Sequence, residues 1–450
     1  MPDPSAAQND LSRRREGVPG TSARLSTAQQ IRLASLWFAM FAQWLTVLPV
    51  ILPDQVASIV GPDSATKEGM VGTIAAAGAV VALLVAPLAG ALSDRLRARR
   101  GRRRPFLIVG ALGSIVSLML LAPFGSGGSV ALYVVAILNL QFWWNVVSGA
   151  YAGLVPDVVA PEEQGTASAW LNVMTIAGTI AGNVIVALTY STGHATLTIA
   201  IFALATLACL WLTLGVPEPP SPGAAEPFRL AAFLRSFYID PKAHRNFYWV
   251  LVTRLLSNMG VWSVLTFLLS YLRDVIGVDN PEQVLPALLG VGAVLAIPAS
   301  LIGIRLAARH GLVEIVKAAS WIMAATVVGY VLVVLRPSLV LVAPLVLVYA
   351  AAYGAYQAVD WALALRVLPS RDAAGKDMGV WHISMVLPQI FGPAATGWII
   401  SGAKQAVSPS FGYTVAFALG ALWFVLAALF VGRVRLAGPA EPAEPGTDYR

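Results

Sequence analysis

Long apolar runs alternate with short polar breaks along the chain after residue 31. Crossing a hydrocarbon core about 30 Å thick takes roughly 20 helical residues. About twelve runs reach that length, over 31–54, 69–92, 106–124, 129–156, 166–190, 196–215, 247–272, 284–308, 312–335, 338–364, 378–402 and 410–432. One break is long: residues 217–246, opening VPEPPSPGAAEPFRL, are Pro-rich and then mildly amphipathic around Phe228 to Tyr238. Six spans on each side of it predict an all-α membrane protein of two pseudo-symmetric six-helix bundles related by an axis along the membrane normal. The bundles occupy 31–216 and 247–433, with 217–246 as linker and with polar tails over 1–30, read as disordered, and 434–450. A shift of 211 residues places Pro87 on Pro298, Trp170 on Trp381 and Met174 on Met385, a suggestive internal repeat.

Composition agrees with the pattern and excludes a soluble globule. At 57% hydrophobic and 12% charged residues, the chain has too little charge to cover its surface, so lipid must cover it. The net charge of +7 does not mark a nucleic-acid binder, because the basic residues gather on alternate loops. Arg13, Arg14, Arg15, Arg24 and Arg32, the Arg95 to Arg104 run, Arg229, Arg235, Lys242, Arg245, Arg305, Arg309, Lys317, Arg366, Arg371, Lys376, Arg433 and Arg435 share one face. The other keeps Lys67, Arg273, Arg336 and Lys404. The positive-inside rule then places both termini in the cytoplasm and the chain in the inner cell membrane. Cys209 stands alone within a span and reads as a packing residue, and no cleavable signal peptide is evident.

Two motifs carry a family resemblance. Between the second and third spans lies Gly90-Ala-Leu-Ser-Asp94-Arg95, followed after five residues by Gly101-Arg102-Arg103-Arg104-Pro105-Phe106. This resembles the signature loop of the major facilitator superfamily, in the form found in sucrose/proton symporters and their neighbours, the glycoside-pentoside-hexuronide cation symporters. Gly379-Val-Trp-His-Ile-Ser-Met-Val-Leu-Pro388-Gln389 is similar to a span-eleven segment of the same symporters, and Tyr353 to Pro369 resembles their tenth span. The resemblance implies an alternating-access carrier whose loop (Gly90, Asp94, Arg95, Gly101, Arg102, Arg103, Arg104) gates the cytoplasmic side. Asp94 would meet a helix N-terminus of the other bundle and a nearby Arg; the arginines read equally well as lipid anchors. Two departures weaken the likeness to sucrose carriers: Ala86 stands where they have Gln, and Ala152 where they have Arg.

Polar groups inside the spans are the candidate chemistry, since each costs on the order of 2.5 to 3.5 kcal/mol for Arg or Asp at mid-membrane unless it has a partner. Arg254, Asp360 and His382 fall at equal depth in the C-terminal bundle, and Arg254 and Asp360 are expected on facing cavity walls as a proton-coupling ion pair with His382 tuning it. Snorkelling of Arg254, a purely structural role for Asp360 and simple packing of His382 are the competing readings. Gln43, Trp44, Gln141, Trp144, Asn145, Asn258, Tyr353, Tyr356 and Gln357 suit a neutral polyhydroxylated ligand, with helix-to-helix bonding as the alternative for each amide. Asn172, Asn183 and Gln389 read as interhelical, and Gly149-x-x-x-Gly153 and Gly178-x-x-x-Gly182 as close-packing faces.

The expected function is proton-coupled symport of a sugar or related small polar solute by a monomer whose partners are that substrate, protons and membrane lipid. A proton-coupled drug or metabolite exporter and a non-transporting membrane sensor or scaffold are the alternatives. No P-loop, metal-spaced His/Cys cluster or nucleophile triad is present, so neither an enzyme nor a cofactor or metal is expected. The acidic pair of melibiose-like relatives has no match between Val71 and Leu92, which favours H⁺ over Na⁺.

Overall fold

The computed structural model describes residues 25–98, 101–190, 195–220, 243–367 and 374–435, without the side chains of 125, 126, 161 and 374–382. Residues 1–24 of the expected N-terminal tail, most of the linker and nearly all of the C-terminal tail lie outside these residues, whereas 27–30, expected as disordered tail, are the first turn of a helix capped by Ser26 and Gln29. The spans are helices α1 (Thr27–Val60), α2 (Lys67–Arg95), α3 (Arg104–Leu121), α4 (Val130–Val158), α5 (Gln164–Thr189) and α6 (Thr196–Leu214) in the first half. The second half has α7 (Arg245–Leu265, continued by Leu268–Ile276 across a 43° bend), α8 (Pro281–His310), α9 (Leu312–Val333), α10 (Leu339–Arg366), α11 (Ala374–Ala406) and α12 (Pro409–Val431).

The packing repeats between the halves. Helix α1 packs on α5 and α6, α2 on α4, and α3 on α4 and α6; correspondingly α7 packs on α11 and α12, α8 on α10, and α9 on α10 and α12. The halves meet through α2 against α11 and α5 against α8, an exchange that the same symmetry demands. Pro87 and Pro298 fall inside the related helices α2 and α8. Large apolar side chains such as Leu188, Trp211, Leu335 and Val340 point outward, as a lipid-covered surface requires.

Small residues set the helix spacing. A side chain at Gly178 would strike the Phe38 carbonyl and one at Gly182 the Ala42 carbonyl, so these glycines let α5 approach α1 backbone to backbone. Gly149 does the same for α4 against Ala86 of α2. The two symmetry-related helices α1 and α7 are both irregular. In α1 a π-helical turn, Val47–Ile51, contains Pro49, whose missing N–H breaks the regular ladder, and Pro53 follows one turn later. Helix α7 bends after Leu265 and stops at Gly277, which adopts the left-handed conformation (φ 74°).

Helix α2 runs from Lys67 to Arg95, so Lys67 and the Arg-rich loop lie at opposite ends of the bundle. These are called the far end and the basic end below.

Candidate functional site

Arg254 and Asp360 form an ion pair between α7 and α10, Nη1 donating to Oδ2. Their side chains are 3% and 0% exposed, so Arg254 does not snorkel to the surface. Its Nη2 also lies 3.5 Å from Met385 Sδ of α11, and its carbonyl accepts from Asn258 Nδ2 at 2.9 Å. Tyr353 and Tyr356 stack on the same α10 surface, with ring centroids 6.4 Å apart and planes 17° apart, leading up to the carboxylate. Two opposite charges in so dry a place hold each other in position, and removing either leaves an uncompensated charge. His382 is on α11, but its side chain lies outside the described residues.

A narrow cleft lies between the halves at mid-depth, with a free volume of about 10 Å³, too small for a sugar in this state. Both irregular helices reach it: Leu48 and Pro49 come from the π turn of α1, Trp262 and Thr266 from the bend of α7. Gln141 of α4 and Gln389 of α11 supply amides, beside Pro393, Ala75 and Ala79. None of the described residues that line it is charged. The tenth span, expected to line the cavity, contributes nothing to this cleft.

The sequence-selected ligand residues divide accordingly. Gln141 lines the cleft, and Asn145 donates to the Gln141 carbonyl at 2.7 Å on its own helix. Gln43 and Trp144 are committed to protein partners: the Trp144 indole donates to Gln43 Oε1 at 3.1 Å, and Gln43 Nε2 donates to Thr206 Oγ1 at 2.5 Å. These bonds tie α4, α1 and α6 together, the interhelical alternative for an amide. Asn258 is spent on the Arg254 carbonyl, whereas Trp44 Nε1 and Gln357 Oε1 are buried with no hydrogen-bond partner among the described residues. Buried polar atoms of that kind call for a ligand or water. Trp262 and Thr266 were not foreseen, and Gln389, expected to bridge helices, lines the cleft and donates to Met385 O within α11 at 3.1 Å. Asn183 likewise bonds its own helix, at Thr179 O, 2.8 Å away.

At the basic end, the signature loop is organised by Arg103, 3% exposed. Its guanidinium donates to Asp94, to Asp157 Oδ2 at 2.8 Å and to Ser93 Oγ, and packs on Gly153. Arg102 takes the other Asp157 oxygen at 2.6 Å, and the carboxylate raises the Arg102 pKa further. Arg104 donates to the carbonyls of Leu214 and Val216, pinning α6. Glu218, just beyond α6, caps α3 by accepting the N–H of Arg103 at 2.8 Å and of Arg104 at 3.2 Å, and sits where a side chain at Gly101 (φ 102°) would go. Burial pushes the Glu218 carboxyl above its ordinary pKa, and those N–H bonds oppose the shift. Arg95 donates to Ala91 O on its own helix.

Asp94 was expected to meet a helix N-terminus of the other bundle and a nearby Arg; here it is 52% exposed and, among the described residues, its bonds go to Arg102 and Arg103 of its own half, while the chain leading into α11 lies outside the described residues. Arg103→Ala is expected to lower thermal stability in detergent by about 1–3 kcal/mol, because the largely buried Asp157 loses a buried partner. Asp94→Ala should cost less, its carboxylate being half in water. Equal unfolding transitions for the two variants would contradict the central role of Arg103.

The far end is closed by charge. Lys67 Nζ of α2 donates to both oxygens of Asp274, each at 3.0 Å, and Arg273 Nη2 donates to Asp54 Oδ1 of α1 at 2.5 Å. The Tyr413 hydroxyl of α12 lies 3.1 Å from Glu68 Oε1 and 2.9 Å from Asp274 Oδ2, and Lys404 of α11 lies 3.6 Å from Glu68. Ser401 Oγ accepts the Gly69 N–H at 2.9 Å, and Trp398 Nε1 donates to Thr73 Oγ1 at 3.1 Å. Among the described residues, the hydrogen bonds and ion pairs that join the halves gather here. Three of the four basic residues of this face, Lys67, Arg273 and Lys404, belong to the closure.

Comparison with known proteins completes the picture. Residues 33–375 match the family profile of the Major Facilitator Superfamily. The chain is 32% identical over 119 residues to the general alpha-glucoside permease of Schizosaccharomyces pombe, covering 24% of this chain and 22% of the permease. It is 29% identical over 119 residues to YagG of Escherichia coli, named for glycoside/cation symport, covering 26% of each chain. The matches thus span about a quarter of either relative. The crystal structure of a D-xylose-proton symporter superposes over 90% of this chain and 96% of its own, with TM-score 0.69 and 15% identity.

Proposed function

The chain belongs to the Major Facilitator Superfamily, as a multi-pass membrane transporter of small molecules and not an enzyme, and we propose that it couples inward proton movement to uptake of a sugar or related neutral polar solute. The observation that carries this reading is the buried Arg254–Asp360 pair in the half opposite Gln141, in a chain whose cleft between the halves is lined by amides, an indole and a hydroxyl and by no charged residue among those described. Amides exchange hydrogen bonds with sugar hydroxyls, and an indole packs on a sugar face. Asp360 takes the proton when movement of α7 against α10 withdraws Arg254, a switch in proton affinity that a dry site makes large. His382 tunes that exchange.

The carrier is an inner-membrane monomer in this reading, and the charge bias of the loops supports an orientation with both termini, the 217–246 linker and the basic end in the cytoplasm. On that orientation the closed far end faces the outside. Gly90, Asp94, Arg95 and the Gly101–Arg104 segment then close the cytoplasmic side in the opposite state. Gln141, Trp262, Thr266 and Gln389 hold the solute, with Trp44, Tyr353, Tyr356 and Gln357 drawn in as the cavity opens.

A thermal-shift panel on the purified protein tests the substrate class. Uncharged mono- and disaccharides should raise the unfolding temperature, by about 2.7 kcal/mol of stabilisation at a hundred times the dissociation constant. A shift by cationic amphiphiles and by no sugar would favour the exporter instead.

A further inference from the structure

Hydrogen-bond accounting at the far-end closure singles out Glu68. Lys67 has three N–H donors, and they go to Pro62 O at 2.8 Å and to the two Asp274 oxygens at 3.0 Å each. Glu68, one residue away and fully buried, is left 3.4 Å from that ammonium and 3.6 Å from Lys404. Among the described side chains its hydrogen-bond partner is the Tyr413 hydroxyl at 3.1 Å, and Oε2 has none. Tyr413 also touches Asp274 Oδ2 at 2.9 Å. A phenol has a single proton and can donate to one of two carboxylates. The shorter contact gives that proton to Asp274, so the Glu68 contact is a bond only if Glu68 is the donor.

The groups facing Glu68 are Lys67 on its own helix, Asp274 beyond the bend of α7, Lys404 on α11 and Tyr413 on α12. Asp274, Lys404 and Tyr413 all leave with the second half when the far end opens. Lys67 then loses Asp274 and stays beside Glu68, where it pairs with a carboxylate.

We propose that Glu68 is a second proton-binding site, separate from Asp360: it takes one proton from far-side water as the halves close and returns it as they part. The inference rests on the alternating-access reading. One carboxylate gains one proton and no other bond is made or broken, so acid on the far side favours the closed far end.

The test uses a cysteine on the wall behind the closure. Cys209 is the chain's one cysteine, so Cys209→Ser gives a clean background for Ala75→Cys in the cleft and, as reference, Val407→Cys on the exposed far-end turn. Labelling by a membrane-impermeant maleimide in sealed right-side-out vesicles is measured from pH 5.5 to 8.5 and divided by the reference rate, which removes the thiol's own ionisation. The normalised rate should rise with pH by up to about tenfold per unit, the slope of one linked proton. Glu68→Gln should hold it low and flat. Tyr413→Phe, which removes the acceptor of the Glu68 proton, should raise it at acid pH and flatten the profile. The parental profile surviving in either variant overturns the role of Glu68; labelling that never varies in any variant contradicts the moving halves themselves.

Discussion

Asp360→Asn should lower proton-driven accumulation of substrate by on the order of 100-fold, since the amide cannot carry the coupling proton. Because the substitution leaves Arg254 charged and buried, it should also destabilise the protein by about 3–5 kcal/mol. The double variant Arg254→Gln with Asp360→Asn separates the two effects. It removes the stranded cation and should recover most of the lost stability, while accumulation stays absent and substrate binding by thermal shift persists. Asp360→Asn with intact substrate-induced proton uptake would sink the coupling role and leave the pair as a structural tie between α7 and α10.

Gly72→Val should abolish transport to a similar degree, on the order of 100-fold, for a different reason. Gly72 of α2 faces the Pro393 carbonyl of α11 across the junction of the halves, and a Cβ there has no room. The carbonyl is part of a helix and cannot swing aside. The variant is therefore expected to fold, since the clash lies between halves and not within one, but to be unable to close its far end. Gly149→Val is the contrast: its clash with Ala86 O lies inside the first half, so it should impair folding outright. Measured uptake, monodispersity and far-side labelling at Ala75→Cys distinguish the two, and parental uptake by Gly72→Val would contradict the geometry of closure.

The spans were readable because length and apolarity alone define a membrane-crossing helix, and the bundle symmetry followed from their even spacing. Arg254 and Asp360 were readable too, since charges deep in apolar runs are few and must find each other. The far-end cluster was not. Lys67, Glu68, Asp274 and Lys404 stand at span ends, where charges ordinarily face headgroup water, and nothing local tells that the halves close over them. The signal present was indirect: a face with four basic residues keeps three of them for this closure. Amides were ambiguous for a related reason. Gln43, Gln141 and Gln389 have the same chemistry whether they bind helix or solute, and only packing assigns Gln43 to Thr206 and Trp144 and the others to the cleft.

The measurement that bears most directly on the account is solute flux in proteoliposomes with the imposed proton gradient directed inward and a pH-sensitive dye enclosed. The account predicts that a neutral sugar which stabilises the protein accumulates inside against its own gradient, that the lumen acidifies only when that sugar is present, and that Asp360→Asn loses both signals. Expulsion of a preloaded solute under the same gradient, or sugar entry with no proton movement, would contradict it.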